Sequence, residues 1–351
     1  MAISKKTHEI LNRPDLIERR DMWFDRLRRV YDGTLDEWGI NNVYTLRGTL
    51  GIGKHDPYAE PEKWVEDCLE DLAARIDSDP GNRFYPYCVE YGIYGVHYVD
   101  RIFGADVFFK DGQWNTRYIT SAIGALPKPD LDRNETWIMT KRAIDAFNEA
   151  DVRLPLFGLP TIASVLNISV NLYGEEILVE MMVDPDNANK DLVTINDTLI
   201  ELHQRCRALL PERQLQPVVS WERTQPPGFG QLCGCTTQLI SKDLYAEMIA
   251  PLDEKLLSVY PNGGMIHICG SHTQHIETFR NMKPLRALQF NDRAAADLRA
   301  YYEGLREDQV FYIIPCKDCS LEQALEATDG GNRLIIVSDR TEPLLKKKTQ
   351  P

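Results

Sequence analysis

From residue 84 onward, short apolar runs rich in β-forming residues alternate with amphipathic stretches, and this alternation strongly limits the folds open to the chain. The eight runs are "FYPYCVEYG", "ADVFF", "RLPLFGL", "PVVSWE", "GMIHIC", "PLRALQF", "VFYIIP" and "RLIIVS". Strands separated by helices pair in parallel through right-handed crossovers. Eight such strands predict an α/β fold that closes into a (β/α)8 TIM barrel. An open doubly wound sheet is the alternative, but the glycine-rich turn expected after its first strand is absent.

The first part of the chain has a different pattern. "RPDLIERRDMWFDRLRRVYDG" and "EPEKWVEDCLEDLAARIDS" carry apolar residues at helical spacing. The sequence therefore predicts an N-terminal helical extension over residues 1–83. A barrel catalytic domain is predicted over residues 84–351.

Composition excludes several classes of partner. Fifty-three acidic residues against 40 basic ones give a formal charge of −13, which argues against binding to nucleic acid. No apolar stretch approaches ~20 residues, and the charged start has no signal-peptide core, so neither a membrane span nor export is expected. The predicted location is the cytoplasm. Eight cysteines in such a chain are expected to be structural, metal-binding or catalytic thiols rather than disulfides.

The segment "GMIHICGSHTQH" contains three of the chain's seven histidines and one cysteine. Side chains alternate along a strand, so His267 and Cys269 face the same way, and in a barrel they would lie at the C-terminal mouth. Imidazole and thiolate are zinc ligands, and catalytic zinc sites commonly have three protein ligands and one open position. The alternative is a hydrogen-bonded histidine beside a small buried thiol.

A third zinc ligand has to come from a neighbouring loop. The sequence offers Cys233 and Cys235 in "LCGCTT", and Cys316 and Cys319 in "PCKDC". We predict Cys316 together with His267 and Cys269, and the other three cysteines stay open as alternatives. The C-x-x-C spacing of "PCKDC" is also typical of a redox pair or of a helix start.

Other polar and aromatic residues near predicted strand ends complete the site. Glu222 is predicted to act as a general acid or base, or as an oxygen ligand, and His267 shares the catalytic role. Substrate contacts are predicted for the residues Tyr91, Tyr94, Trp221, His272 and His275. For the three aromatic residues, ordinary packing is the alternative.

One long segment carries a family resemblance. "KDLYAEMIAPLDEKLLSVYPNGGMIHICG" resembles the uroporphyrinogen decarboxylase superfamily, in which a segment such as "SPELFEEFVLPYLKRI" precedes a strand that ends in "HICG". "LPTIASVLNISVNLYGEEILVEMMVDPD", "GIYGVHYVDRIFGADVFFKDGQW" and "SLEQALEATDGGNRLIIVS" resemble further segments of the family, in the same order. The resemblance covers roughly residues 84 to 340. It implies a (β/α)8 barrel.

Two branches of the superfamily are separated by their motifs. True decarboxylases carry an arginine-rich "RQAGRY", whereas this chain has "FYPYCVEYGIYG" at that position. The corrinoid-dependent methyltransferases use the H-x-C strand as zinc ligands, with a third cysteine from a "SPGC" motif in the last strand. Here the last strand ends in "IIVSDRTEP", which places Ser338 and Asp339 where that cysteine would fall.

The resemblance implies a zinc-dependent methyltransferase. Such an enzyme moves a methyl group between a small molecule, as donor or acceptor, and a corrinoid cofactor carried by a partner protein. The alternative within the same family is a metal-free decarboxylase or lyase, in which His267 and Cys269 contact the substrate directly.

Overall fold

The computed structural model describes residues 3–34, 43–45, 49–76, 84, 86–217, 220–291 and 293–337, and the side chains of residues 43–45, 49, 220 and 221 are not included. The strands are β1 (Val43–Thr45), β2 (Thr49–Leu50), β3 (Tyr87–Glu90), β4 (Val107–Lys110), β5 (Gln113–Thr116), β6 (Leu156–Gly158), β7 (Leu215–Gln216), β8 (Gly230–Cys233), β9 (Gly264–Ile268), β10 (Leu285–Phe290), β11 (Val310–Ile313) and β12 (Leu334–Val337). The helices are α1 (Lys5–Leu11), α2 (Pro14–Tyr31), α3 (Pro61–Arg75), α4 (Tyr98–Ile102), α5 (Glu135–Glu149), α6 (Val165–Tyr173), α7 (Glu176–Val183), α8 (Pro185–Leu209), α9 (Ser220–Arg223), α10 (Lys242–Leu244), α11 (Ala250–Leu257), α12 (Ile276–Asn281), α13 (Arg293–Ala296), α14 (Leu298–Gly304) and α15 (Leu321–Ala327). In these ranges, no helix is both long enough and apolar enough to cross a membrane.

Two parallel sheets form the centre of the described structure. One has the strand order β1-β12-β11-β10-β9-β8, and the other has the order β2-β3-β6-β7. Helices follow most of these strands along the chain, as parallel pairing requires. The predicted α/β class and the parallel pairing are therefore confirmed.

Two of the eight predicted strands were placed wrongly. β4 does not join a parallel sheet but pairs with β5 in an antiparallel hairpin, because Asp111 and Gly112 both have positive φ angles, 54° and 81°, and form a tight turn. "PVVSWE" contains no strand in its described residues. The strand β7 lies just before it and stops at Pro217, which has no N–H for the ladder, while residues 220–223 are helical.

The predicted helical extension over residues 1–83 contains α1, α2 and α3, and it also contributes strands. β1 pairs with β12, and β2 pairs with β3, so this region adds one strand to each parallel sheet. The region is therefore not purely helical. The division into two domains at residue 83 stays a prediction.

Most strands of the two parallel sheets are buried on both faces, which explains why several of them have nearly continuous apolar sequences. Alternate residues such as Met265 and Tyr312 pack with Trp23 and Tyr31 of α2 in one apolar cluster. That cluster takes its strand residues from both parallel sheets. The intervening residues of the strands, such as Ile266, pack in a second cluster with most of the other helices.

Asp253 in α11 makes the stability of the fold depend on pH. Its carboxyl group is fully buried, Oδ2 accepts a hydrogen bond from the Tyr245 hydroxyl at 3.1 Å, and Oδ1 has no partner among the described residues. Burial raises the pKa of Asp253 to about 7, from 3.8 for an exposed group. The folded protein therefore holds a proton that the unfolded chain has already lost at intermediate pH.

We expect the titration of Asp253 to lower the free energy of unfolding as the pH rises from about 4 to about 7. The Asp253→Asn variant lacks the titration, so its stability relative to the wild type should increase over the same range by up to about 4 kcal/mol. Urea unfolding of both proteins between pH 4 and pH 8 measures the difference. A constant difference across that range would contradict the assignment.

Candidate metal centre

The C-terminal ends of β8 and β9 bring three ligand-bearing residues together. Cys233 of β8 is in register with His267 of β9, and the main chain continues on each side to Cys235 and Cys269. The ligand atoms of Cys235, His267 and Cys269 all lie within 4.8 Å of one another. Parallel strands end at the same edge of a sheet, so residues two positions beyond this registered pair are also neighbours.

The third potential ligand in this cluster is Cys235, one of the alternatives left open by the sequence, and the assignment of Cys316 as a ligand stays a prediction. Cys235 starts a short 3-10 turn, Cys235–Leu239, directly after β8. Cys316 follows β11 and is half-buried, and its main-chain N–H donates to the carbonyl oxygen of Cys319 at 2.9 Å. Ser338 and Asp339 lie outside the described residues.

The hydrogen bonds of His267 leave one ring nitrogen available for a metal. Nδ1 contacts Oε1 of Gln289, and the Gln289 amide nitrogen donates to the carbonyl of Phe290 at 3.2 Å and to Oδ1 of Asn291 at 2.8 Å. These two donations orient the amide so that its oxygen faces the imidazole. The proton of His267 is therefore placed on Nδ1, and the lone pair is placed on Nε2.

The two cysteines share a proton. A hydrogen bond from Cys235 lowers the pKa of Cys269 to about 4, whereas the pKa of Cys235 is raised because its thiol donates to Cys269 and is largely buried. Cys269 is thus a thiolate at neutral pH. Burial lowers the pKa of His267, which keeps its ring neutral, as a metal ligand must be.

The predicted substrate residues His272 and His275 contact the loops that carry the two cysteines. Both rings are fully buried. Nδ1 of His272 lies 2.6 Å from the Gly270 carbonyl oxygen, and Nε2 of His275 lies 2.9 Å from that of Thr237. Both histidines therefore hold the loops that carry Cys269 and Cys235, and their role as substrate contacts stays a prediction.

The remaining predicted contacts are dispersed. Tyr91 is fully buried, and its hydroxyl donates to the carbonyl oxygen of Pro57 at 2.7 Å, so it packs in the core. Tyr94 is half-buried against Tyr58 and Trp114, with ring centroids at 5.0 and 5.2 Å. Their assignment as substrate contacts stays a prediction that this packing does not favour.

The segment between β7 and β8 holds the other two predicted residues. Glu222 lies in α9 rather than at the end of a strand, and it is half-buried. Its catalytic role stays a prediction. The side chain of Trp221 lies outside the described residues.

Two polar residues near the cluster have no signal in the sequence. Arg223 is 6% exposed, and its Nη1 donates to the thiol sulfur of Cys233 at 3.7 Å. Gln231 precedes Cys233 by two positions on β8 and is 1% exposed. Neither position stands out in the sequence, because a lone arginine in a loop and a lone glutamine in a short strand are common.

The donor set of the cluster fits zinc. Two thiol sulfurs and an imidazole nitrogen are ligands that zinc prefers, and three protein ligands leave a fourth position for a substrate. The orientation of His267 by Gln289 supplies the outer hydrogen bond found in most histidine–metal sites.

We expect the Gln289→Leu variant to bind zinc about 10- to 100-fold more weakly than the wild type, because the ring of His267 loses its acceptor. Competition with a zinc-binding dye measures the dissociation constant. The exposed residue Gln274, whose amide nitrogen contacts the carbonyl oxygen of Gln238 at 3.5 Å, supplies the control variant Gln274→Leu. Equal zinc affinities for both variants would show that Gln289 does not support the site.

Comparisons with known proteins give a likeness in fold. No known protein family matches the sequence, and no curated protein matches it as a relative. A solved methyltransferase from Methanosarcina mazei is similar in structure, with a TM-score of 0.61 over 92% of this chain and 94% of that chain. The two sequences are 11% identical. At this level of identity the likeness concerns the fold.

Proposed function

We propose that the protein is a zinc-dependent methyltransferase that moves a methyl group between a small molecule and a corrinoid on a partner protein. The observation that carries the proposal is the cluster of Cys235, His267 and Cys269 at the ends of two neighbouring strands. The likeness in fold to a methyltransferase supports the reaction class.

We also propose that the two parallel sheets are parts of one barrel. Around the described sheets the strands follow chain order, from β2 through β7 and then from β8 to β12 and β1. Cys88 and Leu156 from one sheet share an apolar cluster with Met265 and Val310 from the other. Such a shared interior is expected when a sheet closes on itself. In a barrel, the residues Cys235, His267 and Cys269 would lie at the C-terminal face, where active sites occur.

We propose a role for each residue of the site. A zinc ion bound there would supply Lewis acidity toward a sulfur or oxygen atom of the substrate. Cys269 and Cys235 would hold it through sulfur, and His267 through Nε2. Gln289 keeps the proton of His267 on Nδ1, while His272 and His275 fix the two loops that present the cysteines.

The alternative to a zinc-dependent methyltransferase is an enzyme that needs no metal. In a metal-free decarboxylase or lyase, His267 and Cys269 would contact the substrate directly. The position of Cys235 beside both residues favours the metal-binding role, because a third soft donor is not needed for a substrate contact.

An absorption assay tests the proposed reaction. Cob(I)alamin and methylcobalamin have different spectra, so transfer to or from free cobalamin can be followed with a panel of methylated thiols, methylamines and methoxylated aromatics. We expect zinc-loaded protein to change the spectrum with at least one member of the panel. Release of carbon dioxide from a small acid by metal-free protein, without any spectral change, would instead support the decarboxylase.

A further inference from the structure

Arg223 places a buried positive charge beside the metal cluster. Its guanidinium donates through Nη1 to the sulfur of Cys233, and Nε is buried without a partner among the described residues. A guanidinium remains charged under all conditions of interest, and a thiol is a weak acceptor. Burying a charge of this kind costs free energy unless a counter-ion lies beside it.

Gln231 also borders the thiol of Cys233. The side chain is 1% exposed, and its amide group lies against the Cys233 thiol. Within the described part of the chain, neither its amide oxygen nor its amide nitrogen has a conventional hydrogen-bond partner. It shares a strand face with Cys233, because the two residues are two positions apart on β8. Cys233 is in register with His267, so the unpartnered groups border the cluster.

We propose that Arg223 and Gln231 bind the carboxylate group of the substrate. This inference rests on the proposed function, since it takes the cluster as the reaction centre. The edge of a guanidinium formed by Nε and Nη2 binds a carboxylate through two parallel hydrogen bonds, and Nη1 of Arg223 is the nitrogen that already contacts Cys233. The amide nitrogen of Gln231 supplies a further donor.

The substrate class that follows is a short acid with a methylated or methyl-accepting heteroatom. The anion site borders Cys233, and adjacent parallel strands are about 4.8 Å apart, so only a few bonds separate the carboxylate from the atom at the metal. A neutral substrate of the same size would leave the charge of Arg223 without a counter-ion.

Butyrate and its neutral amide, butyramide, test the anion site without a sulfur atom that could bind zinc. We expect a titration followed by NMR to show that zinc-loaded protein binds butyrate at least about 30-fold more tightly than butyramide, and that Arg223→Gln removes the preference. Zinc-free wild-type protein should keep the preference for butyrate over butyramide, because the acid binds Arg223 and not the metal. Arg293→Gln removes one exposed charge and should leave butyrate binding unchanged.

Equal affinity for butyrate and butyramide would overturn the inference, and so would unchanged butyrate binding by Arg223→Gln. Loss of binding on removal of zinc alone would also overturn it, because the metal would then be the acceptor. If Arg223→Gln does not fold, Gln231→Leu provides the same test, and its affinity for butyrate should be several-fold weaker than that of the wild type. Preserved butyrate binding in a protein that shows no methyl transfer would refute the proposed reaction and leave the anion site intact.

Discussion

Purified Cys269→Ser protein is expected to contain less than about a tenth of an equivalent of zinc, whereas the wild type holds about one. Serine keeps the size of the side chain but replaces a soft thiolate by a hydroxyl that stays protonated at neutral pH, so a three-ligand site loses one of its two sulfur donors. Cys235→Ser should have the same effect, because Cys235 belongs to the same cluster. Elemental analysis after dialysis against zinc measures the stoichiometry.

Cys316→Ser is the matched control for this experiment. Cys316 is also a half-buried thiol that follows a strand of the same sheet, yet it is not part of the cluster found among the described residues. Its variant should bind zinc as the wild type does. A loss of zinc from Cys316→Ser with retention by Cys235→Ser would restore the ligand set expected from the sequence and contradict the structure.

Methyl transfer should fall by at least about a thousand-fold in His267→Ala and in Cys269→Ser, if the proposed function is correct. Removal of a group that acts on the transition state through a metal typically costs several kcal/mol, and each 1.36 kcal/mol changes the rate tenfold. The absorption of methylcobalamin measures the rate. The melting temperature of each variant, taken alongside, separates a lost site from a lost fold.

A structural role for the two residues would give a different result. Both variants would then melt at lower temperature, and the remaining folded protein would keep its activity per molecule. His272→Ala supplies a comparison, because His272 is buried and bonded to loop carbonyl oxygens. We expect it to lower stability and to weaken zinc binding less than loss of Cys269 does.

The proximity of His267 and Cys269 could be predicted from the sequence because two simple rules were sufficient. An apolar run predicts a strand, and side-chain alternation then places His267 and Cys269 on one face. The third ligand depended on β8, a run of the residues "GQLC" that has no β-branched side chain and was not predicted as a strand. With β8 in place, the register of Cys233 with His267 places Cys235 beside Cys269.

Other differences between the sequence predictions and the structure also have local physical causes. The hairpin of β4 and β5 is set by "DG", a turn sequence that overrides the parallel pairing expected from the surrounding alternation. His272 and His275 follow β9 closely enough to suggest an exposed loop, but their burial depends on the packing of Tyr245 and on the turn after β8. Contacts between segments distant along the chain cannot be inferred from a single sequence.

X-ray absorption at the zinc edge tests the central claim most directly. The account predicts two sulfur ligands at about 2.3 Å and one imidazole nitrogen at about 2.0–2.1 Å, with one further light atom in the fourth position. In Cys235→Ser and Cys269→Ser, any zinc that remains should show one sulfur. A wild-type spectrum with four sulfur ligands, or with none, would contradict a centre formed by Cys235, His267 and Cys269.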